Sequence, residues 1–585
     1  PRLCRDWSSD VCSSDLYKTK IFLGILFILL SNLLSTYIPL VIRDAINLLQ
    51  TKITQSDLIR LSVMIVALSL VAGVFRFLIR QTIIVVSREI EYDLRQDFWQ
   101  HIQLLPTKYF QNTSTGNLMA HATSDINAVR MFIGPAVMYS IDTIIRFVLV
   151  IYMMLSISPA ITLYSLSPLP ILSFLVYYVG KKVHVRFTAI QEKFAELTTK
   201  AQENYSGIRV IKSYVRETQE IEDFKKLSNE YLHKNMHLIK VQALFQPTLF
   251  MITGISVIVV IWIGGGSVIS GKLMLGDMTA LIIYLGILIW PMIAFGWVIN
   301  IIQQAEASMK RLNKIFNEEY EITDTEVTDK KIESLKGEIE FRNASFKYNE
   351  NFSNVLNKIN LKIPAGSTFA IMGLTGSGKS TFVSLIPRLY DVTDGEILID
   401  GINIKKIPLS VLRKSVGFVQ QESFLFSDTI TNNLCYGLNE VDINKVYQAA
   451  AIAQFDKDVR DFPLKYDTIL GERGITLSGG QKQRASLTRA LIIDPQILIL
   501  DDSFSAIDTN TEEEILKNLK SFMKNRTSII ISHRISTVKE ADQIILFDKG
   551  TIAEKGTHEE LIALGGKYAN INQKQLLEKE IEEFN

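Results

Sequence analysis

Long apolar runs free of charge, all of them before about residue 305, constrain this chain more than any other feature. Ile21–Ile42 contains no Asp, Glu, Lys or Arg, and neither does Phe147–Gly180. A bilayer core of about 30 Å is crossed by roughly 20 helical residues, so the first run predicts one span. The second run is too long for one span. Ser156-Ile-Ser-Pro159 breaks it, which predicts a tight turn between spans three and four. Leu58–Val86, with Arg76 and Arg80 near its inner end, predicts span two, and Val241–Gly271 and Met278–Ala305 predict five and six.

The connections after spans two and four are long and basic. One carries Arg88, Arg95, Lys108 and Arg130; the other carries Lys181, Lys182, Arg186, Lys200, Arg209 and Lys212. Positive charge collects on the cytoplasmic side of a membrane, which places both connections and both ends of the chain inside. Helical periodicity persists through these connections, so the spanning helices are expected to continue well beyond the bilayer. Over all 585 residues Lys+Arg (62) balances Asp+Glu (61), so nothing argues for a nucleic-acid partner. Three cysteines without a CxxC pair suggest neither a disulfide framework nor a structural zinc site. Pro1–Leu16 has no helical period and reads as a leader foreign to the fold, resembling a translated adapter sequence. No cleavable signal peptide is expected.

The rest of the chain changes character. Residues 17–309 read as the membrane domain, 310–336 as a charged linker, 337–573 as a soluble α/β domain and 574–585 as a charged tail. In the soluble part short apolar runs (Thr368–Met372, Glu396–Asp400, Ile497–Asp501, Thr527–Ser532, Gln543–Phe547) alternate with helical stretches. The first of these runs leads into Gly373-Leu374-Thr375-Gly376-Ser377-Gly378-Lys379-Ser380, followed by Thr381, which fits a GxxxxGK[ST] phosphate loop between strand and helix. Its glycines let backbone N–H groups turn toward phosphate oxygens, Lys379 reaches the β- and γ-phosphates, and Ser380 offers a hydroxyl to Mg²⁺. Ile497-Leu-Ile-Leu-Asp501 is a buried strand ending in a carboxylate that suits the same Mg²⁺.

Leu477-Ser478-Gly479-Gly480-Gln481, just upstream of that strand, resembles the signature of ATP-binding cassette (ABC) proteins. With six spans ahead of it, the chain from about Tyr17 to the tail resembles one half of an ABC exporter. The resemblance implies an all-α membrane domain of six transmembrane helices with long cytoplasmic extensions, fused to an α/β P-loop nucleotide-binding domain. It implies ATP and Mg²⁺ as cofactors and a multi-pass position in a bacterial cytoplasmic membrane, with the nucleotide-binding domain inside. It also assigns roles one residue at a time. Tyr348 would stack on adenine. Gln421 would be the Q-loop glutamine near Mg²⁺ and the γ-phosphate, with Gln420 as its rival. Glu472 would touch the partner's helices, Asp508 would belong to the D-loop, and His533 would be the switch histidine. The other six histidines read as ordinary surface or loop residues. The signature residues and Asp508 would close over ATP held by a second copy of the domain, so a second half-transporter is implied.

One position departs from the family. Beside Asp501 the family carries Glu as the base that polarises the attacking water; here it is Asp502. A carboxylate one methylene shorter misplaces that water, and about 1 Å of misplacement costs on the order of 100-fold. This site is therefore expected to bind ATP well and cleave it slowly. Heterodimeric bacterial multidrug exporters resemble this pattern, so a heterodimer is favoured and a homodimer is the alternative.

Thr113–Leu118, with Gly116, resembles the first coupling helix, and Ala201–Gly207, with Tyr205 and Gly207, the second. In span three Asp142 and Arg146 stand i,i+4, and intramembrane ionisable residues are candidates for a cargo cavity, against the alternative of a self-satisfied pair. Pro168, Pro170, Pro247 and Pro291 are expected to bend helices. An amphipathic or lipophilic drug-like cargo leads; a lipid or peptide exporter, or an ATP-gated regulatory or channel-like protein, are the alternatives.

Overall fold

The computed structural model describes residues 15–50, 54–350 and 352–584. The expected leader lies outside these residues, apart from Asp15 and Leu16, which open the first helix. Two compact units emerge. One holds the helices up to Gln103 and from Thr115 to Glu318; the other combines Leu104–Ser114 with the chain from Glu319 onward.

The first unit is helical throughout. Helix α1 is Asp15–Leu49 and α2 is Gln55–Leu104, followed by the short α3 (Thr107–Asn112) and by α4 (Thr115–Ile157). Then come α5 (Pro159–Leu166), α6 (Leu169–Ser206), α7 (Ile208–Ser213), α8 (Glu217–Val259) and α9 (Leu275–Phe316). A π-helical turn, Val260–Gly264, carries α8 onward to Ile269. At 1.5 Å per residue the 50 residues of α2 run about 75 Å, far longer than a bilayer core. The predicted extensions are therefore present.

Among the described residues five helical stretches are long and apolar enough to cross a membrane. The expected fourth span coincides with α5 and the start of α6, interrupted at Ser167 and Pro168. The cause is local: Pro168 has no N–H to return to the carbonyl of Tyr164, so α5 stops. Pro247 and Pro291, by contrast, lie inside continuous helices. The turn before Pro159 forms as expected, with Ser158 extended and its hydroxyl accepting from the Ile161 amide.

The expected linker, 310–336, begins inside α9. Its first residues are the last two turns of α9, where Leu312 and Ile315 are buried at helical spacing and the charges face outward. Residues from Glu319 on pack with the second unit: Leu335 joins its core, and Asp324 accepts from the Leu409 amide. One histidine was misjudged as well. His101 is 4% exposed, and its Nε2 lies 2.7 Å from the Ile315 carbonyl, so it is a core residue.

The second unit is built on two sheets. Strands β1 (Ile339–Phe346), β2 (Leu356–Ile363), β4 (Asp394–Ile399) and β5 (Ile402–Asn403) form an antiparallel sheet in the order β2-β1-β4-β5. The other sheet runs β10-β9-β3-β8-β7-β6. It comprises β3 (Thr368–Gly373), β6 (Val416–Val419), β7 (Ile497–Asp501), β8 (Thr527–Ile531), β9 (Gln543–Asp548) and β10 (Thr551–Gly556). β6, β7, β8, β3 and β9 are mutually parallel and β10 is antiparallel. Their Ile- and Leu-rich runs are buried on both faces, as parallel strands require. Ile371 pairs with Ile531, and Asp501 pairs with Ile531 from the other side. The carboxyl ends of β3, β8 and β7 therefore finish at one level, the edge where open α/β sheets bind ligands.

Candidate functional site

Three loops leave that edge together. The one after β3 is the glycine loop, whose Gly373, Gly376 and Gly378 all have positive φ (150°, 80° and 101°). At Gly373 a Cβ would sit 2.4 Å from the Phe547 carbonyl, so no other residue fits there. The loop delivers the chain into α10 (Lys379–Ser384), whose first amides no helical carbonyl can reach. Lys379 is 7% exposed and its Nζ donates to the Gly373 and Leu374 carbonyls at 2.8 and 3.0 Å. Burial pulls its pKa down, with Asp501 and Asp502 pulling the other way. Ser377 Oγ is buried with no hydrogen-bond partner in the protein, an orphan that a phosphate oxygen would satisfy. Tyr348 bonds Thr381 through the two hydroxyls at 2.9 Å, and Phe346 and Tyr390 meet its ring edge to face.

After β7, Asp501 is 4% exposed, and its Oδ1 accepts from Ser380 Oγ at 3.2 Å. Burial raises its pKa, the Ser380 bond opposes that, and neighbouring Asp502 adds to the rise. A hydroxyl and a buried carboxylate side by side are hard oxygen donors of the kind Mg²⁺ takes when phosphates and water supply the rest. No cluster of three or more His, Cys, Asp or Glu occurs among the described residues. Asp502 occupies the left-handed region at φ 47°, which aspartate tolerates, and its amide donates to the Ile531 carbonyl.

After β8 comes His533, an exposed ring whose pKa partial burial and Lys379 both push down. Gln420 and Gln421 lie just past β6, both exposed, and their surroundings do not separate the two. Glu472 is exposed on a short 3₁₀ turn.

The signature opens α12 (Gly479–Ile492). Ser478 is its N-cap and forms a reciprocal box with Gln481: the Gln481 amide reaches Ser478 Oγ at 3.3 Å, and Gln481 Oε1 accepts from the Ser478 amide at 2.9 Å. Leu477 is buried beneath. Gly480 passes so close to the next loop that a Cβ would lie 2.8 Å from the Ala506 carbonyl. Asp508 caps α13 (Thr509–Met523), accepting from the Thr511 amide at 2.9 Å, and that bond lowers its pKa. Two further residues hold this arrangement and carry no local sequence signal. Gln483, buried, donates to Ser505 Oγ and accepts from the Ala506 amide. Asp458, on α11 (Asp456–Arg460), takes bonds from Gln481 and Arg484.

The coupling positions fall less simply. Gly116 lies in the first turn of α4, in the helical unit. The stretch that groups with the second unit is upstream, Leu104–Ser114, and Gln111 of α3 donates to the Tyr390 hydroxyl at 2.6 Å. Tyr205 is 80% exposed near the end of α6, and Gly207 joins α6 to α7. Asp142 and Arg146 form a closed triad with Asn32. Asn32 donates to Asp142 at 2.8 Å, while Arg146 donates to Asn32 at 3.1 Å and to Asp142 at 3.2 Å. That is the self-satisfied arrangement.

A family model described as the ABC transporter transmembrane region matches residues 21–292, and one described as ABC transporter matches 356–505. The chain is 38% identical over 492 residues, 83% of each chain, to the probable multidrug resistance ABC transporter ATP-binding/permease protein YheI of Bacillus subtilis. It is 34% identical over 500 residues to an ATP-dependent lipid A-core flippase of Syntrophus aciditrophicus, covering 85% of this chain and 82% of that one. Among solved structures, a bacterial Atm1-family ABC exporter with ATP bound superposes with a TM-score of 0.79 at 25% identity, over 96% of this chain and 99% of that one. With the glycine loop and the Asp501 strand meeting at one sheet edge and the capped signature intact, these likenesses make the chain a member of the ABC transporter family, an exporter that couples an ATPase domain to a helical transmembrane region.

Proposed function

We propose that this chain is the slow-site half of a heterodimeric exporter that moves amphipathic or lipophilic drug-like compounds out across the bacterial cytoplasmic membrane, its nucleotide-binding domain inside. The observation that carries this reading is Asp502, where the family places Glu, in a site otherwise complete. The bond from the Asp502 amide to the Ile531 carbonyl opposes a shift of the chain that would recover the missing methylene. Leu477–Gln481, capped and pinned, is intact and would close the partner's working site.

In this chain's own site, the glycine loop, Lys379 and Ser377 would bind the phosphates, and Tyr348 would meet the adenine. Ser380 and Asp501, with Gln421, would hold Mg²⁺, which when bound neutralises charge on the phosphates. Asp502 would orient water poorly and His533 would contact the γ-phosphate. Gly116, Tyr205, Gly207 and Glu472 would transmit closure to the helices, and ATP binding would shift the population toward an outward-facing form.

The test is the ATPase rate of the full-length chain purified alone in lipid. Little hydrolysis is expected, rising about 10- to 100-fold in Asp502→Glu. Robust turnover by the unmodified chain alone would sink the slow-site reading. A lipid cargo is the second reading, favoured by the likeness to the lipid A-core flippase. Cargo-stimulated ATPase with the partner half present separates the two.

A further inference from the structure

The C-terminal helix α14 (Lys567–Phe584) begins inside the stretch that reads as the ATP domain and runs through the charged tail. Gln575, in that tail, reaches the loop that carries His533. Its Nε2 donates to the His533 carbonyl at 2.6 Å, and its Oε1 accepts from the Ile535 amide at 2.9 Å. One carboxamide thus spans the backbone on both sides of Arg534.

We infer that Gln575 is the positioning residue for the switch histidine: it sets the height of His533 above the glycine loop and so its reach to the γ-phosphate. The inference rests on the reading of His533 as the γ-phosphate contact. The geometry that supports it has two parts. First, no other bond reaches the His533 carbonyl among the described residues: the Ser532 amide goes to the Ile371 carbonyl, the Arg534 amide to Ser532 Oγ, and Glu512 of α13 grips the segment beyond. Glu512 is 3% exposed, bonds Arg534, and accepts from Thr537 Oγ1 at 2.6 Å. Glu512 therefore fixes the segment beyond His533 but not the His533 peptide itself. Second, the two bonds of Gln575 need a donor and an acceptor on the same group. Among the side chains only the amides supply both in this fork. Glutamate in this place would keep length and helix propensity and accept from Ile535, but would turn an oxygen toward the His533 carbonyl.

A second consequence follows from the chain order. Glu512 lies in the first turn of the helix that Asp508 caps, so the switch loop hangs between the D-loop helix on one side and the C-terminal helix on the other. A shift of α14 reaches the His533 carbonyl directly through Gln575.

The experiment compares ATP and ADP affinities, with Mg²⁺, of the full-length protein in lipid for wild type, Gln575→Glu, Gln575→Ala and His533→Ala. ADP has no γ-phosphate, so a positioning role acts on ATP alone. Gln575→Glu is expected to weaken ATP binding about 3- to 10-fold, the range of one or two lost hydrogen bonds, with ADP affinity unchanged. Gln575→Ala should do the same, and its effect should vanish in the His533→Ala background. Parallel losses for ATP and ADP would mark α14 as merely structural and overturn the inference. So would a wild-type ATP/ADP ratio in Gln575→Glu alongside an altered ratio in His533→Ala. An unaltered ratio in His533→Ala overturns the γ-phosphate reading and the inference with it.

Discussion

Asp501 and Asp142 are both carboxylates held by side-chain hydrogen bonds, one in each unit, and their partners differ in kind. Asp501 has one hydroxyl donor, Ser380, while the orphan Ser377 and the loop-held Lys379 belong to the same glycine loop. Asp142 accepts from Asn32 and Arg146, which also bond each other. Elsewhere in the helical unit the same closure recurs. Asp125 accepts from Arg311 Nε at 3.0 Å and Ser308 at 2.8 Å, with His121 at 2.6 Å. Polar capacity left over marks a site that awaits a ligand, whereas capacity used up marks a brace between helices.

The largest expected effect tests the first half of that contrast. Lys379→Ala removes the one cation of the glycine loop, and charge-assisted bonds are worth about 1.5–3 kcal/mol each. ATP affinity of this chain's site should fall by on the order of 100-fold, measured by equilibrium binding of a fluorescent ATP analogue, while the melting temperature hardly moves. Asp142→Ala should show the reverse. It leaves Arg146 and Asn32 without their shared acceptor at a cost of roughly 2 kcal/mol, seen in thermal unfolding in lipid, with ATP affinity unchanged. The double variant Asp142→Ala, Arg146→Ala should recover part of that loss. If instead stability holds and cargo-stimulated turnover disappears, the triad is a working site and the contrast breaks.

How far the sequence disclosed this molecule follows the same line. The glycine loop, the Asp501 strand and the capped signature were legible because each is made by residues adjacent in the chain: Gly376 needs its φ whatever surrounds it, and Ser478 caps with Gln481 three residues on. What escaped is made across distance. Gln575 meets His533 from 42 residues away, Gln111 meets Tyr390 from 279, and His101 is buried against a carbonyl 214 residues on. No local pattern reports such partners. The start of the supposed linker is a subtler case: Lys310, Arg311 and Lys314 hid a helical period that Leu312 and Ile315 still kept. The interruption between α5 and α6 was legible in Pro168. Ser478→Ala sharpens the local side of this account. Loss of its cap should cost about 1 kcal/mol in chemical denaturation, independent of any partner, and should also lower ATP turnover at the partner's site.

The smallest effect is the most discriminating, because leftover capacity has a cost when no ligand is bound. Burial holds the Asp501 carboxyl above its ordinary 3.8, so between that value and its folded pKa the native state binds the proton more tightly than the unfolded chain does. Stability of the nucleotide-free protein must then fall as pH rises through that window. Asp501→Asn removes the charge and keeps an acceptor for Ser380. It should therefore unfold about 2–4 °C higher at neutral pH, the shift that ~1 kcal/mol gives a domain of this size. The gain should shrink toward zero as the pH is lowered below the ordinary carboxyl range, while Mg²⁺-dependent ATP binding is lost at every pH. Asp142→Asn in the helical unit offers no such gain, since Arg146 needs the negative charge that Asn would remove. A variant at Asp501 that destabilises the empty protein at neutral pH would mean that its carboxylate, like that of Asp142, already has all the partners it needs.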